Sequence, residues 1–131
     1  MKPQHWIATD TGIVRKHNED AFLWLGPDDT FQNGYLWLIA DGMGGESAGE
    51  LAAKTVVQAV REIYPIAMKR GNDPYFAIEQ SLSAANKRIQ RIQREQPDFA
   101  KMGTTAVVAA LYHGKFYISH IGDSRAYVHR N

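Results

Sequence analysis

The chain has 131 residues, 44% of them hydrophobic and 22% charged, a size and balance that fit one globular domain or part of one. It contains no cysteine, which excludes disulfides, thiolate metal sites and a cysteine nucleophile, and a net charge of +1 gives no argument for nucleic acid. No apolar run reaches the ~20 residues of a membrane span and residues 1–5 lack the apolar core of a signal peptide, so no membrane contact and a cytoplasmic location are expected.

In chain order, Trp6–Asp10 reads as a first strand, ended by Thr11-Gly12. A polar patch, Arg15 to Asp20, leads into a second strand over Ala21–Leu25. Gly26-Pro27-Asp28-Asp29 and Asn33-Gly34 are turn signals that make this strand a hairpin partner of Tyr35–Ala40. Those six apolar residues read as a strand buried on both faces. It runs into Asp41-Gly42-Met43-Gly44-Gly45, a carboxylate followed by a backbone able to bend tightly and approach a ligand. Antiparallel pairing sets the start of one strand beside the end of the other, which places Asp20 next to Asp41.

Ser47-Ala48-Gly49-Glu50 fits a capping box, and Leu51, Ala52, Thr55, Val56, Ala59, Val60 and Ile63 mark one face of a helix ending near Pro65. Asn72-Asp73-Pro74 opens a second helix, with Ile78, Leu82, Ala85, Ile89 and Ile92 as its stripe, that runs until Pro97. Its other face carries Lys87, Arg88, Arg91 and Arg94 and reads as solvated. Three strands follow, Ala106–Tyr112, Lys115–Ile121 and Ser124–Arg130, joined by tight turns at His113-Gly114 and Gly122-Asp123. Without alternating β-α-β units, this order predicts an α+β domain whose helices pack on a mostly antiparallel sheet.

Residues 1–50 carry eight acidic and three basic side chains, residues 51–131 six and twelve, so the acids gather where the motifs are. Asp28 and Asp29 read as solvated loop. Glu19, Asp20 and Asp41, brought together, repel one another unless a proton or cation intervenes. A hard divalent cation such as magnesium or manganese suits oxygen ligands, and the Gly42 carbonyl is a further candidate. Two such ions roughly 4 Å apart activate water and neutralise a phosphoryl group. The planar fork of Arg15 matches phosphate oxygens, and a salt bridge to Glu19 or Asp20 fits the spacing equally well. The turn at Gly122 would by itself account for Asp123. The histidines at 5, 17, 113, 120 and 129 have no zinc-ligand spacing, and neither Ser119 nor Ser124 sits in a nucleophile motif.

Thr11-Gly12, Arg15-x-x-Asn18-Glu19-Asp20, Asp41-Gly42-Met43-Gly44-Gly45, Gly103-Thr104-Thr105-Ala106 and Gly122-Asp123-Ser124-Arg125 together resemble the metal-dependent protein phosphatases of type 2C, the PPM family, in their bacterial form. The resemblance implies an α-β-β-α sandwich, with residues 1–131 as the N-terminal part of a single domain nearly twice as long. It further implies hydrolysis of phosphoserine and phosphothreonine in proteins, the substrates of a cognate kinase, without a covalent intermediate. Two manganese or magnesium ions serve the complete domain.

Carried over, Arg15 binds substrate phosphate, Asp20 and Asp41 are catalytic metal ligands, Gly42 ligates through its carbonyl, and Glu19 acts directly or through a bound water. Asp123 lies near a weaker metal position. Met43 stands where many eukaryotic relatives place a histidine proposed as general acid. With only these ligands, the chain alone is expected to show weak activity and to self-associate. Two alternatives stand beside this reading: a relative that binds phosphoproteins without turnover, and an ATP-binding module of the histidine-kinase and gyrase type, whose D-x-G-x-G the Asp41 motif resembles. In that second fold the upstream asparagine lies on a helix, whereas Phe22–Leu25 here reads as strand.

Overall fold

The computed structural model describes residues 2–30 and 34–131. Strand β1 (Asp20–Leu25) leads to a one-turn helix α1 (Pro27–Thr30) and then to β2 (Tyr35–Met43), the strand on which the others are built. Two long helices follow, α2 (Glu46–Lys69) and α3 (Pro74–Glu95), then β3 (Gly103–Thr104), β4 (Ala106–Tyr112) and β5 (Lys115–Ile121). The sheet has the order β1-β2-β4-β5, every pairing is antiparallel, and β3 pairs with the far end of β2. The α+β expectation is met as one sheet with one helical layer. Of the four layers of an α-β-β-α sandwich, the described residues supply two.

Alternation along the strands decides which face the helices cover. Leu23, Leu25, Leu36, Leu38, Ala40, Ala106, Val108 and Ala110 point inward and are buried against Ala52, Val56, Ala59, Val60 and Tyr64 of α2 and Ile78, Leu82 and Ala85 of α3. Burying each of the leucines is worth roughly 1.5–3 kcal/mol relative to exposure. The outward residues of this run are apolar as well but unevenly covered, Tyr35 being buried, Trp37 half-buried and Ile39 53% exposed. Tyr35–Ala40 is therefore not buried on both faces. Its continuous apolar run hides a period of two.

Two expected strands and three boundaries differ from the sequence reading, each for a physical reason. Residues 6–10 and 124–130 form no strand, because neither stretch has a ladder partner among the described residues. Strand β2 continues through Asp41-Gly42-Met43, because β3 pairs with it there, Gly42 opposite Thr104 and Met43 opposite Gly103. Helix α2 starts at Glu46 with Gly45 as N-cap at φ 96°, so the Ser47 capping box does not form and Glu50 instead pairs with Lys54 at 2.6 Å. It also runs past Pro65, because Tyr64, Ala67 and Met68 are still buried.

Just beyond that helix lies Gly71, whose φ of 86° lets Gly71 and Asn72 donate back to the Met68 and Ala67 carbonyls. Asp73 caps α3 as expected, accepting from the Phe76 amide at 3.2 Å. The β4–β5 hairpin closes through His113 and Gly114, both at positive φ. Asn33 of the Asn33-Gly34 turn signal lies outside the described residues.

Candidate functional site

Asp20 opposite Asp41 is the register of the β1–β2 pair, on the sheet face that the helices leave uncovered. The carboxyl of Asp41 is raised above its ordinary value. Partial burial is the largest cause, followed by the charge of Asp20, a hydrogen bond with the Asp20 side chain, and a smaller push from Asp123. Arg15 acts in the opposite sense. Two acids in hydrogen-bonding contact must share a proton or a cation, which is the property expected of a half-built site for a positive ligand.

Each acid is held by residues to which the sequence reading assigned no such role. Asn18 accepts from the Asp20 amide at 3.0 Å and donates to the Thr9 hydroxyl at 2.6 Å; Thr9 in turn donates to the Asp20 carboxylate at 3.4 Å. The two-residue spacing of Asn18 and Asp20 is an Asx-turn pattern, and it was the available signal. The Asp41 main chain is held by Thr105, whose amide donates to the Asp41 carbonyl at 2.9 Å and whose hydroxyl accepts from the Asp41 amide at 3.2 Å.

The glycines at this end are required by close packing. A Cβ on Gly42 would run into the Gly49 carbonyl in the first turn of α2, and one on Gly49 would run into the Glu19 carboxylate. Glu19 therefore lies against the N-terminal turn of α2, where a helix favours negative charge, and its carbonyl accepts from the Gly42 amide at 3.2 Å. Arg15 is exposed and makes no salt bridge to Glu19 or Asp20, the bridge that the spacing allowed. It lines a hollow of about 440 Å³ together with Lys16, His17, Glu19 and residues 42–45. A larger hollow of about 580 Å³ between α3 and β5 has Glu79 as its one charged lining residue and lies away from the paired acids.

Of the five residues expected at a metal, then, Asp20 and Asp41 meet, Asp123 acts on Asp41 through charge, Gly42 follows in the strand, and Glu19 points to the helix. Among the described residues no three His, Cys, Asp or Glu side chains converge to hold an ion. The pair fits one hard dication that keeps several of its waters, a mode magnesium accepts.

In sequence and in fold the chain is similar to known proteins. Residues 13–131 match the family described as Protein phosphatase 2C. The chain is 30% identical over 127 residues to "Serine/threonine phosphatase stp" of Listeria monocytogenes, covering 95% of this chain and 49% of that protein. It is 32% identical over 123 residues to "Serine/threonine protein phosphatase PstP" of Mycobacterium tuberculosis, covering 94% and 22%. The solved catalytic domain of PstP, in complex with two manganese ions, superposes with a TM-score of 0.72 at 32% identity over 88% of this chain and 46% of that one. A bacterial serine phosphatase bearing an R161K mutation gives 0.75 at 30% identity over 90% and 47%. The chain spans about half the length of the Listeria relative and less than a quarter of the mycobacterial one.

Proposed function

The chain belongs to the protein phosphatase 2C family, and on that premise we propose that it serves manganese- or magnesium-dependent hydrolysis of phosphoserine and phosphothreonine in proteins. The observation that carries this reading is the Asp20–Asp41 pair, two acids in contact at adjacent strand positions with the charge of Arg15 acting on Asp41. A bound dication supplies neutralisation of the phosphoryl charge and activation of water near neutral pH. Asp20 and Asp41 would hold it, with the Gly42 carbonyl, Glu19 and Asp123 as further candidates. Arg15 would orient the phosphate through its planar fork, free as it is of a salt bridge to either neighbouring acid. Met43 offers no proton to the leaving serine or threonine oxygen, which leaves that proton to solvent or another group.

Phosphoproteins are the partners this reading implies, those of a cognate kinase among them. No helix among the described residues is long and apolar enough to cross a membrane. The strand conformation of Phe22–Leu25 speaks against the ATP-binding alternative. The binding-module alternative draws on the small number of converging acids.

Release of phosphate from a phosphothreonine peptide in millimolar manganese, compared between the chain and its Asp20→Asn and Asp41→Asn variants, tests the reading. Manganese-dependent release, weaker than that of a longer relative and lost in both variants at unchanged circular dichroism, is the expected result. Release that persists in either variant overturns the assignment. Manganese binding without release favours the binding module.

A further inference from the structure

The register around Asp41 contains an irregularity that the paired acids do not explain. Ile39 faces Val107 and Gly42 faces Thr104, so Asp41 stands opposite Thr105. A hydrogen-bonded antiparallel pair exchanges two main-chain bonds. Here one is regular, from the Thr105 amide to the Asp41 carbonyl at 2.9 Å. The other is made by a side chain, because the Asp41 amide donates to the Thr105 hydroxyl at 3.2 Å while the Thr105 carbonyl accepts from the Thr104 hydroxyl at 2.8 Å.

Thr105 is buried, and its hydroxyl also contacts the Ser124 hydroxyl at 2.5 Å. A hydroxyl has one proton and two lone pairs, so Thr105 can accept from Asp41 and still bond Ser124 whichever of the two donates. Gly122, at φ 89°, closes over the other side, where a Cβ would meet the Thr105 methyl at 2.8 Å. The β3–β4 junction and the 122–124 turn thus grip one another through Thr105, and Asp123, whose charge acts on Asp41, sits inside the gripped segment.

We propose that Thr105, locked by Ser124, is a positioning residue that fixes the main chain of Asp41 and so aims its carboxylate beside Asp20 for the cation. Its contribution to cation binding rests on the function proposed above, whereas the clamp on the main chain does not. Thr105→Val keeps the shape and removes the hydroxyl, leaving the Asp41 amide without its acceptor. Losing the partner of such a donor corresponds to about a tenfold effect. Thr105→Ser keeps the hydroxyl. Ser124→Ala removes only the outer member, in a segment outside the sheet.

Hydrogen exchange of the whole chain by mass spectrometry reads the clamp directly in metal-free protein. About tenfold faster exchange over residues 40–43 in Thr105→Val is expected, with a smaller change of the same sign in Ser124→Ala, none over residues 36–38, and restoration in Thr105→Ser. Manganese binding followed by electron paramagnetic resonance is expected to weaken about tenfold in Thr105→Val and to recover in Thr105→Ser. Unchanged exchange at 40–43 in both the valine and alanine variants overturns the clamp, as does a rise spread evenly along β2. Faster exchange with undiminished manganese affinity overturns its positioning role. Absence of manganese binding in the unmodified chain would sink the proposed function and the positioning role that rests on it, while the exchange pattern still decides the clamp.

Discussion

The two faces of the sheet are made from alternate residues of the same strands, yet they are built to different ends. On the inner face Leu36, Leu38 and Ala40 are sealed by α2 and α3. On the outer face Phe22, Trp24 and Ile39 remain about half exposed, with His5 stacked on Trp24 at 4.9 Å and against Trp37 at 5.8 Å. The paired acids continue this open face at one end of the strands. Packing that stabilises the chain is thus separated by one strand's thickness from the groups available for chemistry. A cation or phosphate can reach Asp20 and Asp41 without disturbing the core.

Neighbouring residues of β2 give the largest effect by which this contrast can be broken. Leu38→Ala removes a fully buried side chain and is expected to cost about 2–5 kcal/mol in urea unfolding. Ile39→Ala, one residue along and facing outward, should cost well under half as much. Equal losses would mean that the outer face is covered in solution and that the contrast is false.

How much of this was legible depended on whether a feature is local. The α2 and α3 stripes, the Asp73 cap and the Asp20–Asp41 convergence follow from periodicity, a proline and a hairpin, all readable over short distances. The start of α2 was not, because Gly45 is placed by the backbone contact of Gly42 with Gly49, a tertiary constraint that overrides the Ser47 box. The role of Thr105 was hidden for the same reason, since its partners are 64 and 19 residues away in sequence. Ser124–Arg130 alternates like a strand, but alternation cannot supply the neighbour that a ladder requires.

A smaller effect sharpens the contrast. Because Phe22, Trp24 and Ile39 form an apolar surface on the open face of the sheet, the chain should self-associate through that face. Ile39→Lys is expected to shift light scattering toward the monomer with little change in melting temperature. A lysine that leaves association intact would assign it to another surface.

The smallest effect is also the most specific to the acid pair. The Asp41 carboxyl lies above its ordinary 3.8 in the folded chain, so the fold favours the protonated form. That contribution is fully present below the unfolded value and is lost as pH rises through the folded one, which leaves ionised Asp41 a liability at neutral pH. Without metal at pH 7, Asp41→Asn should therefore raise the melting temperature, by a few degrees at most because the group is largely exposed. At pH 3, where both states are mostly protonated, the variant and the original chain should melt together. Saturating manganese should reverse the order at pH 7, since a ligand that binds only the folded state stabilises the chain that retains its carboxylate. Calorimetry under these three conditions checks the sign at each. An asparagine variant less stable than the original chain at pH 7 without metal would show that Asp41 belongs energetically with the sealed face.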